Sequence, residues 1–172
     1  MSPSIRDAVP ADLPFLPPVE EASDTLLEGM TGVAGLPVLP PVSTERELAA
    51  SLHLLVAGKP PVGFARLEEV DGQAHLEQLS VHPDAAGAGL GRALVTAALD
   101  WAREQGYASM TLCTFADVPF NGPFYATCGF ETVEDPDGEL AALRRHEVSL
   151  GLDSLGERVA MRAQLVNRQS ST

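Results

Sequence analysis

Hydrophobic residues between positions 52 and 81 fall in short runs broken by turn signals, and this pattern reads as a strand meander. Leu52–Ala57 is the first run, Gly58-Lys59-Pro60-Pro61 a turn, and Val62–Val70 a second run with Phe64, Arg66 and Glu68 on one side. Asp71-Gly72 is a tight hairpin signal, and Ala74–Val81 the third strand. The period then changes. Leu90, Leu94, Ala97, Ala98 and Trp101 share one helical face, Arg92, Asp100, Arg103 and Glu104 the other, and Gly106 marks the stop. Ser109–Phe115 is again a strand, so residues 74–115 form a βαβ unit, expected to be parallel and right-handed.

The flanks are less regular. Residues 4–9 read as a short strand, and Pro10-Ala11-Asp12 opens a helical region with Asp12 as one candidate cap. Pro14, Pro17 and Pro18 disturb its start, and Leu26, Leu27 and Met30 continue it. Gly35–Val42 is a Pro-rich loop. Ser43 or Thr44, with Glu47, forms a capping-box pattern for a short helix around 45–51. Farther along come a short helix at Asn121–Thr127 closed by Gly129, a strand at Phe130–Val133, an acidic turn-like run over Glu131–Glu139, a helix near 139–149 and a last strand at Arg158–Val166. The expected architecture is one α/β domain spanning 1–172, with a mixed sheet of six to seven strands.

Composition adds limits. The 172 residues are enough for one core without staples, and 45% hydrophobic with 20% charged residues is ordinary for a globular protein. With two cysteines, Cys113 and Cys128, and histidines at 53, 75, 82 and 146 without ligand spacing, neither a disulfide framework nor a metal site is expected. No apolar run is long enough to span a bilayer and no signal-peptide pattern opens the chain, so a cytoplasmic, non-membrane protein is expected. A formal charge of −13 argues against nucleic-acid partners and is compatible with a cationic small substrate.

An anionic ligand then needs a local site. Gly87, Gly89 and Gly91 sit where the third strand turns into the helix, and backbone N–H groups of a first helical turn suit a phosphate. A dinucleotide fingerprint fits poorly. Three meander strands precede the turn, the sixth position of the pattern from Gly87 is Arg92, and Phe115-Ala116 stand where a ribose-binding acid would be sought.

The stretches LEQLSVHPDAAGAGLGRAL at 76–94 and NGPFYATCGF at 121–130, in this order of elements, resemble the GNAT superfamily of acyl-CoA-dependent N-acyltransferases. The resemblance extends more loosely from Ile5 to Leu165. It implies an antiparallel N-terminal meander, a parallel central pair that splays, and flanking helices. The family's turn, Gln/Arg-x-x-Gly-x-Gly/Ala, aligns with Ala86-Gly87-Ala88-Gly89-Leu90-Gly91. Gly89 and Gly91 match. Ala86 departs from the pattern, which implies weakened rather than abolished coenzyme binding.

By the same resemblance, the amides of Gly87, Ala88, Gly89, Leu90, Gly91 and Arg92 would cradle the pyrophosphate of acetyl-CoA. Leu79 and Val81 would pair with its pantetheine arm, and the Leu79 amide would face the thioester oxygen. Glu77 is the candidate general base, equally readable as a solvent-facing carboxylate. Tyr125 matches the family's acid position, Asn121 is a coenzyme contact or helix cap or both, and Phe124 lines the same wall. Cys113 and Cys128 read as core residues, Trp101 as part of the helix's buried face, and Arg66 with Glu68 as an exposed cross-strand pair by default, with a place in the acceptor cleft as the alternative. The implied function is acetyl transfer from acetyl-CoA to a primary amine by direct attack in a ternary complex. The alternative is an acyl-CoA-binding regulatory module of the same fold. The acceptor is a small-molecule or peptide amine, and the family admits a homodimer.

Overall fold

The computed structural model describes residues 4–31 and 41–165. A seven-stranded sheet runs in the order β1 (Ile5–Asp7), β2 (His53–Ala57), β3 (Gly63–Val70), β4 (Gln73–Val81), β5 (Ser109–Phe115), β7 (Arg158–Gln164), β6 (Glu131–Val133). The meander from β1 to β4 is antiparallel, β4 and β5 are parallel, and β7 pairs antiparallel with both β5 and β6. The last strand thus inserts between two earlier ones.

Each face of the sheet has its own cover. Leu55, Ala57, Ala65, Leu67, Ala74, Leu76, Met110 and Leu112 pack beneath α3 (Leu90–Glu104). Burying a leucine fully is worth roughly 2 kcal/mol, so Leu90, Leu94 and Leu99 make this stripe the helix's main attachment. On the opposite face, Val56 and Phe64 meet Leu16 and Val19 of α1 (Leu16–Thr31) and Leu48 of α2 (Glu45–Ala49). Leu140 of α5 (Gly138–Ser149) closes over Val70 and Ala160.

Several local expectations are met and others corrected. Thr44 is the N-cap of α2, its Oγ1 accepting the Glu47 N–H at 3.1 Å. The buried face of α3 is rotated from the one expected: Val95, Leu99 and Ala102 are buried, whereas Ala97 and Trp101 are half-buried. Trp101 lies at the stripe's edge, its ring stacked on His53 at 4.5 Å. Asp12 does not cap a helix as N-cap. It sits inside a 3-10 turn, Pro10–Phe15, where it accepts the Val9 N–H and pairs with both terminal nitrogens of Arg6. The strand expected at Phe130–Val133 is β6 (Glu131–Val133), so of the acidic run also read as turn-like only residues 134–137 connect to α5. Residues 35–40 of the expected Pro-rich loop, the side chains of Leu26, Leu27 and Met30, and Val166 lie outside the described residues.

Two irregularities position the site. Along β3 and β4 the register passes from Arg66↔Gln78 to Leu67↔Leu76, which leaves Glu77 without a partner on β3. Such a bulge breaks the alternation of side chains. Ala74 and Leu76 face α3, and after the bulge Leu79 and Val81 pack on that same face. The second irregularity is the parallel pair. Only Ala74↔Met110 and His75↔Thr111 are in register, after which β4 and β5 diverge.

The helix α5 is seated by a residue distant in sequence. Its own N-cap, Asp137, makes no side-chain cap bond. Instead Asp71, at the β3–β4 turn, accepts the N–H of Glu139 at 2.7 Å and of Leu140 at 3.0 Å. Gly138 stands against that carboxylate with φ +57°, where a Cβ would collide with the Asp71 oxygen. Losing a cap of this kind costs about 1 kcal/mol. Asp71→Ala should therefore lower unfolding free energy by about 1–2 kcal/mol in urea titrations. Asp71→Asn, which keeps an acceptor oxygen and tolerates positive φ, should recover part of the loss.

Candidate active site

Where β4 and β5 part, the sheet opens onto a cleft of about 510 Å³. One wall comes from α1, the segment before α2 and α2 itself (Glu20, Ser23, Asp24, Ser43, Glu47), another from α5 and its C-cap (Leu143, His146, Glu147, Leu150). The floor is β4 and β5, from His75 to Leu79 and from Leu112 to Phe115. Phe120, Asn121 and Tyr125 close the far side.

Glu77 stands on this floor with its side chain 41% exposed, though the surface it exposes faces the cleft. Desolvation by the walls raises its pKa above the usual carboxylate range. Arg66 and Arg158 oppose that rise, while Glu68 and Glu147 add to it. His75 is buried two residues earlier, its Nδ1 2.7 Å from Thr111 Oγ1 and its Nε2 3.5 Å from Glu77 Oε2. Arg66 pairs with Glu68 as expected, but the pair is half-buried instead of exposed. Arg66 lines the cleft, with Nε donating to Glu68 at 3.1 Å and a terminal nitrogen to Ser43 Oγ at 3.2 Å.

The remaining charges are held in place. Glu147 accepts from Arg158 at 2.6 Å and from Arg144 at 2.6 Å, and Arg144 also pairs with Asp153 at 2.8 Å. Arg158 in turn lies over the Phe115 ring at 4.6 Å. Buried Glu20 accepts the Ser43 N–H at 2.6 Å and its hydroxyl at 3.0 Å, which ties α1 to the segment leading into α2.

Tyr125 comes from α4 (Gly122–Thr127), buried between Phe124 and Phe130 at ring distances of 5.3 and 5.8 Å. Burial pushes its phenol pKa up, so the hydroxyl stays protonated at neutral pH. The helix reaches this place because Gly122 passes close to the end of β5, where a Cβ would come within 2.6 Å of the Ala116 carbonyl oxygen. Asn121 occupies the N-cap position but makes no side-chain cap bond. Its Oδ1 accepts from Thr114 Oγ1 on β5 at 2.5 Å.

The glycine turn lies beyond the end of β4. His82 caps a short 3-10 turn, Pro83–Ala85, by accepting the Asp84 N–H. Gly87 and Gly89 follow with φ of +86° and +78°, the left-handed region that favours glycine. Gly89 is the N-cap of α3, and among the described residues the backbone N–H groups of Gly87, Ala88, Gly89, Leu90, Gly91 and Arg92 have no acceptor. Amides of this kind at the start of a helix carry partial positive charge. The Arg92 guanidinium does not extend over this turn. It donates to Thr127 Oγ1 at 2.7 Å and lies 5.6 Å from the Phe124 ring centre, joining α3 to α4.

Of the residues singled out from sequence, the fold brings Glu77, Leu79, Asn121 and Tyr125 into the lining of one cleft, whereas Val81, Phe124 and the 87–92 turn do not line it. His75, Thr111, Glu20, Glu147 and Arg158 were not anticipated. A histidine two residues from a carboxylate on one strand is a readable signal for the first, whereas the others arrive from separate elements. Among the described residues no group of three or more His, Cys, Asp or Glu is placed to hold a metal ion, and no helix is long and apolar enough to cross a membrane.

The fold is shared with known acetyltransferases. The PaiA N-acetyltransferase of Thermoplasma acidophilum, solved with coenzyme A, superposes with a TM-score of 0.69 at 19% identity, covering 95% of this chain and 99% of that one. The ribosomal-protein-S18-alanine N-acetyltransferase of Escherichia coli gives 0.64 at 19% identity, covering 100% and 99%. N-acetylglutamate synthase of Neisseria gonorrhoeae, complexed with coenzyme A and N-acetylglutamate, gives 0.63 at 21% identity, covering 95% of this chain and 35% of that one. A sheet of this order with a diverging parallel pair is thus an acetyltransferase fold. The profile of the acetyltransferase (GNAT) family matches residues 31–130, and the chain belongs to that family.

Cys113, on the cleft floor, has its thiol pKa pushed up to about 12 by burial. Thiolate is thus scarce at neutral pH. Iodoacetamide at about pH 8 should leave Cys113 unlabelled in intact protein by mass spectrometry. Rapid labelling with loss of activity would instead indicate a cysteine nucleophile.

Proposed function

We propose that residues 1–172 form one N-acetyltransferase domain that moves an acetyl group from acetyl-CoA to a primary amine, in a ternary complex. The observation that carries this reading is the divergence of β4 and β5 after His75 and Thr111, which opens a cleft lined by Glu77 and Tyr125, with six turn amides lacking an acceptor a few residues past the end of β4. Family membership supports it.

Acetyl-CoA supplies the thioester whose carbonyl carbon the amine attacks. The amides of Gly87–Arg92 fit its pyrophosphate, and they bind without help from a polar side chain at position 86. Beyond His75, the edge of β4 toward β5 is unpaired, and Leu79 and Val81 offer its backbone to the pantetheine amides. The Leu79 N–H is assigned to the thioester oxygen, where charge develops. As the N–C bond forms, Glu77 takes the amine proton. As the C–S bond breaks, Tyr125 gives its phenolic proton to the departing thiolate.

Environment suits each role. A carboxylate raised by desolvation is a stronger base than one in water, and a buried phenol remains a donor throughout the working range. The cleft carries Glu20, Asp24, Glu47, Glu77 and Glu147 against Arg66 and Arg158. That excess of negative charge favours a cationic acceptor over an acidic one.

Calorimetry with acetyl-CoA, followed by thiol release over a panel of polyamine, lysine and peptide amines, tests the reading. Binding with turnover is expected, and tight binding without turnover on any amine would favour the regulatory module. Because its acidic form is inactive as base, Glu77 should impose an acidic limb on kcat/KM above the ordinary carboxylate range. Glu77→Gln should remove that limb and lower the rate by about 10²–10³-fold. Tyr125→Phe should lower kcat by about tenfold or more with acetyl-CoA affinity nearly unchanged. Equal loss of both would make Tyr125 structural.

A further inference from the structure

The carboxylate assigned as base is in contact with a group that the mechanism above does not use. His75 lies two positions before Glu77 on β4, and the two side chains approach each other at the bulge. It is the last β4 residue in register with β5, opposite Thr111. The two side chains are joined at that point, with Nδ1 2.7 Å from Thr111 Oγ1. The imidazole is 3% exposed, and its other nitrogen, Nε2, lies 3.5 Å from Glu77 Oε2, just beyond hydrogen-bond length. Both ring nitrogens therefore have one neighbour each.

These neighbours select a tautomer. If Nδ1 carried the proton and donated to Thr111, Nε2 would turn a lone pair toward a carboxylate oxygen, acceptor against acceptor. If Thr111 donates its hydroxyl proton to Nδ1, then Nε2 carries the hydrogen and aims it at Glu77. Only the second arrangement tolerates an ionised Glu77. Burial keeps the ring neutral, its pKa lowered to about 4 despite the pull of Glu147. The imidazole therefore acts as an oriented dipole at neutral pH.

The bulge explains why such support is needed. Glu77 has no cross-strand partner on β3. The charges around it oppose one another: Arg66 and Glu68 from β3, Glu147 from α5 and Arg158 from β7. Cys113, on β5, is protonated and adds no charge. A donor fixed from behind, by contrast, acts in one direction only.

We propose that His75 is a positioning residue for the acetyl-transfer reaction: locked at Nδ1 by Thr111, it presents Nε2–H to the Glu77 carboxylate and holds it oriented and ionised toward the acceptor amine. This inference rests on the reading of Glu77 as the base. The histidine touches neither coenzyme nor acceptor and acts only through Glu77.

Two measurements test it. Nitrogen-15 NMR of the wild-type imidazoles should show His75 as the neutral Nε2–H tautomer from about pH 5.5 to about pH 8. In kinetics with acetyl-CoA and the fastest amine of the panel, His75→Leu should move the acidic limb of kcat/KM up by about one pH unit, because the ionised form of Glu77 loses a donor. The rate near neutrality should fall about tenfold, with KM for acetyl-CoA unchanged. His75→Gln, whose amide donates from a similar place, should recover part of the shift. In a Glu77→Gln background, His75→Leu should add no further loss. If His75→Leu folds poorly, Thr111→Val loosens the same lock without emptying the ring's place and should shift the limb in the same direction. An Nδ1–H tautomer, an unmoved limb, or an equal loss in the Glu77→Gln background would overturn the proposal. Full activity of Glu77→Gln would remove the base and this proposal with it, whereas an impaired Glu77→Gln beside an unmoved limb would remove His75 alone.

Discussion

The short parallel pairing of β4 with β5 is the constraint on which the rest of this molecule depends. A strand in mid-sheet normally satisfies its backbone on both sides, and unpaired buried amides are costly. Here two register pairs hold the strands together before they separate. The fold tolerates this because each strand is secured on its other edge. β4 runs along β3 for its whole length, and β5 pairs with β7 from Ser109 to Phe115. The unpaired edges then face a cleft instead of the core, and every assigned role hangs on one of the two diverging strands or on the segment that follows it.

The electrostatics of the cleft follow from the same opening. Carboxylates from α1, β4 and α5 converge where the sheet offers little backbone to neutralise them. Those with a structural task are partnered: Glu20 by Ser43, and Glu147 by Arg144 and Arg158. Glu77 is held differently, between opposing charges and beside one neutral imidazole. Desolvation raises its pKa, and that perturbation is what supports the proposal of Glu77 as the base.

Much of this was legible along the chain, and particular residues say why. The hairpin at Asp71-Gly72 and the Thr44 cap appeared at their expected positions because both are decided within a few residues. The bulge also left a trace: Ala74, Leu76, Leu79 and Val81 break strict alternation by one position, the mark of an extra residue at Glu77. The stripe of α3 was displaced because Trp101 counts as apolar in a periodicity but is too large and too near the edge to be swallowed, so it stacks on His53 instead. Asn121 has a good capping side chain, yet a hydroxyl on β5 claims it.

By itself the sequence determined the strand meander, the glycine turn at the head of a long helix, the short helix carrying Tyr125 and hence the family. Each rests on periodicity or on a backbone conformation that a few adjacent residues impose. Only the tertiary structure decided that β7 inserts beside β5, that Asp71 caps a helix beginning at Gly138, and that Glu20, Glu147 and Arg158 face Glu77 across one cleft. Those are choices among long-range pairings of similar local quality. They are settled by which packing of the whole sheet leaves the fewest buried charges and amides without a partner.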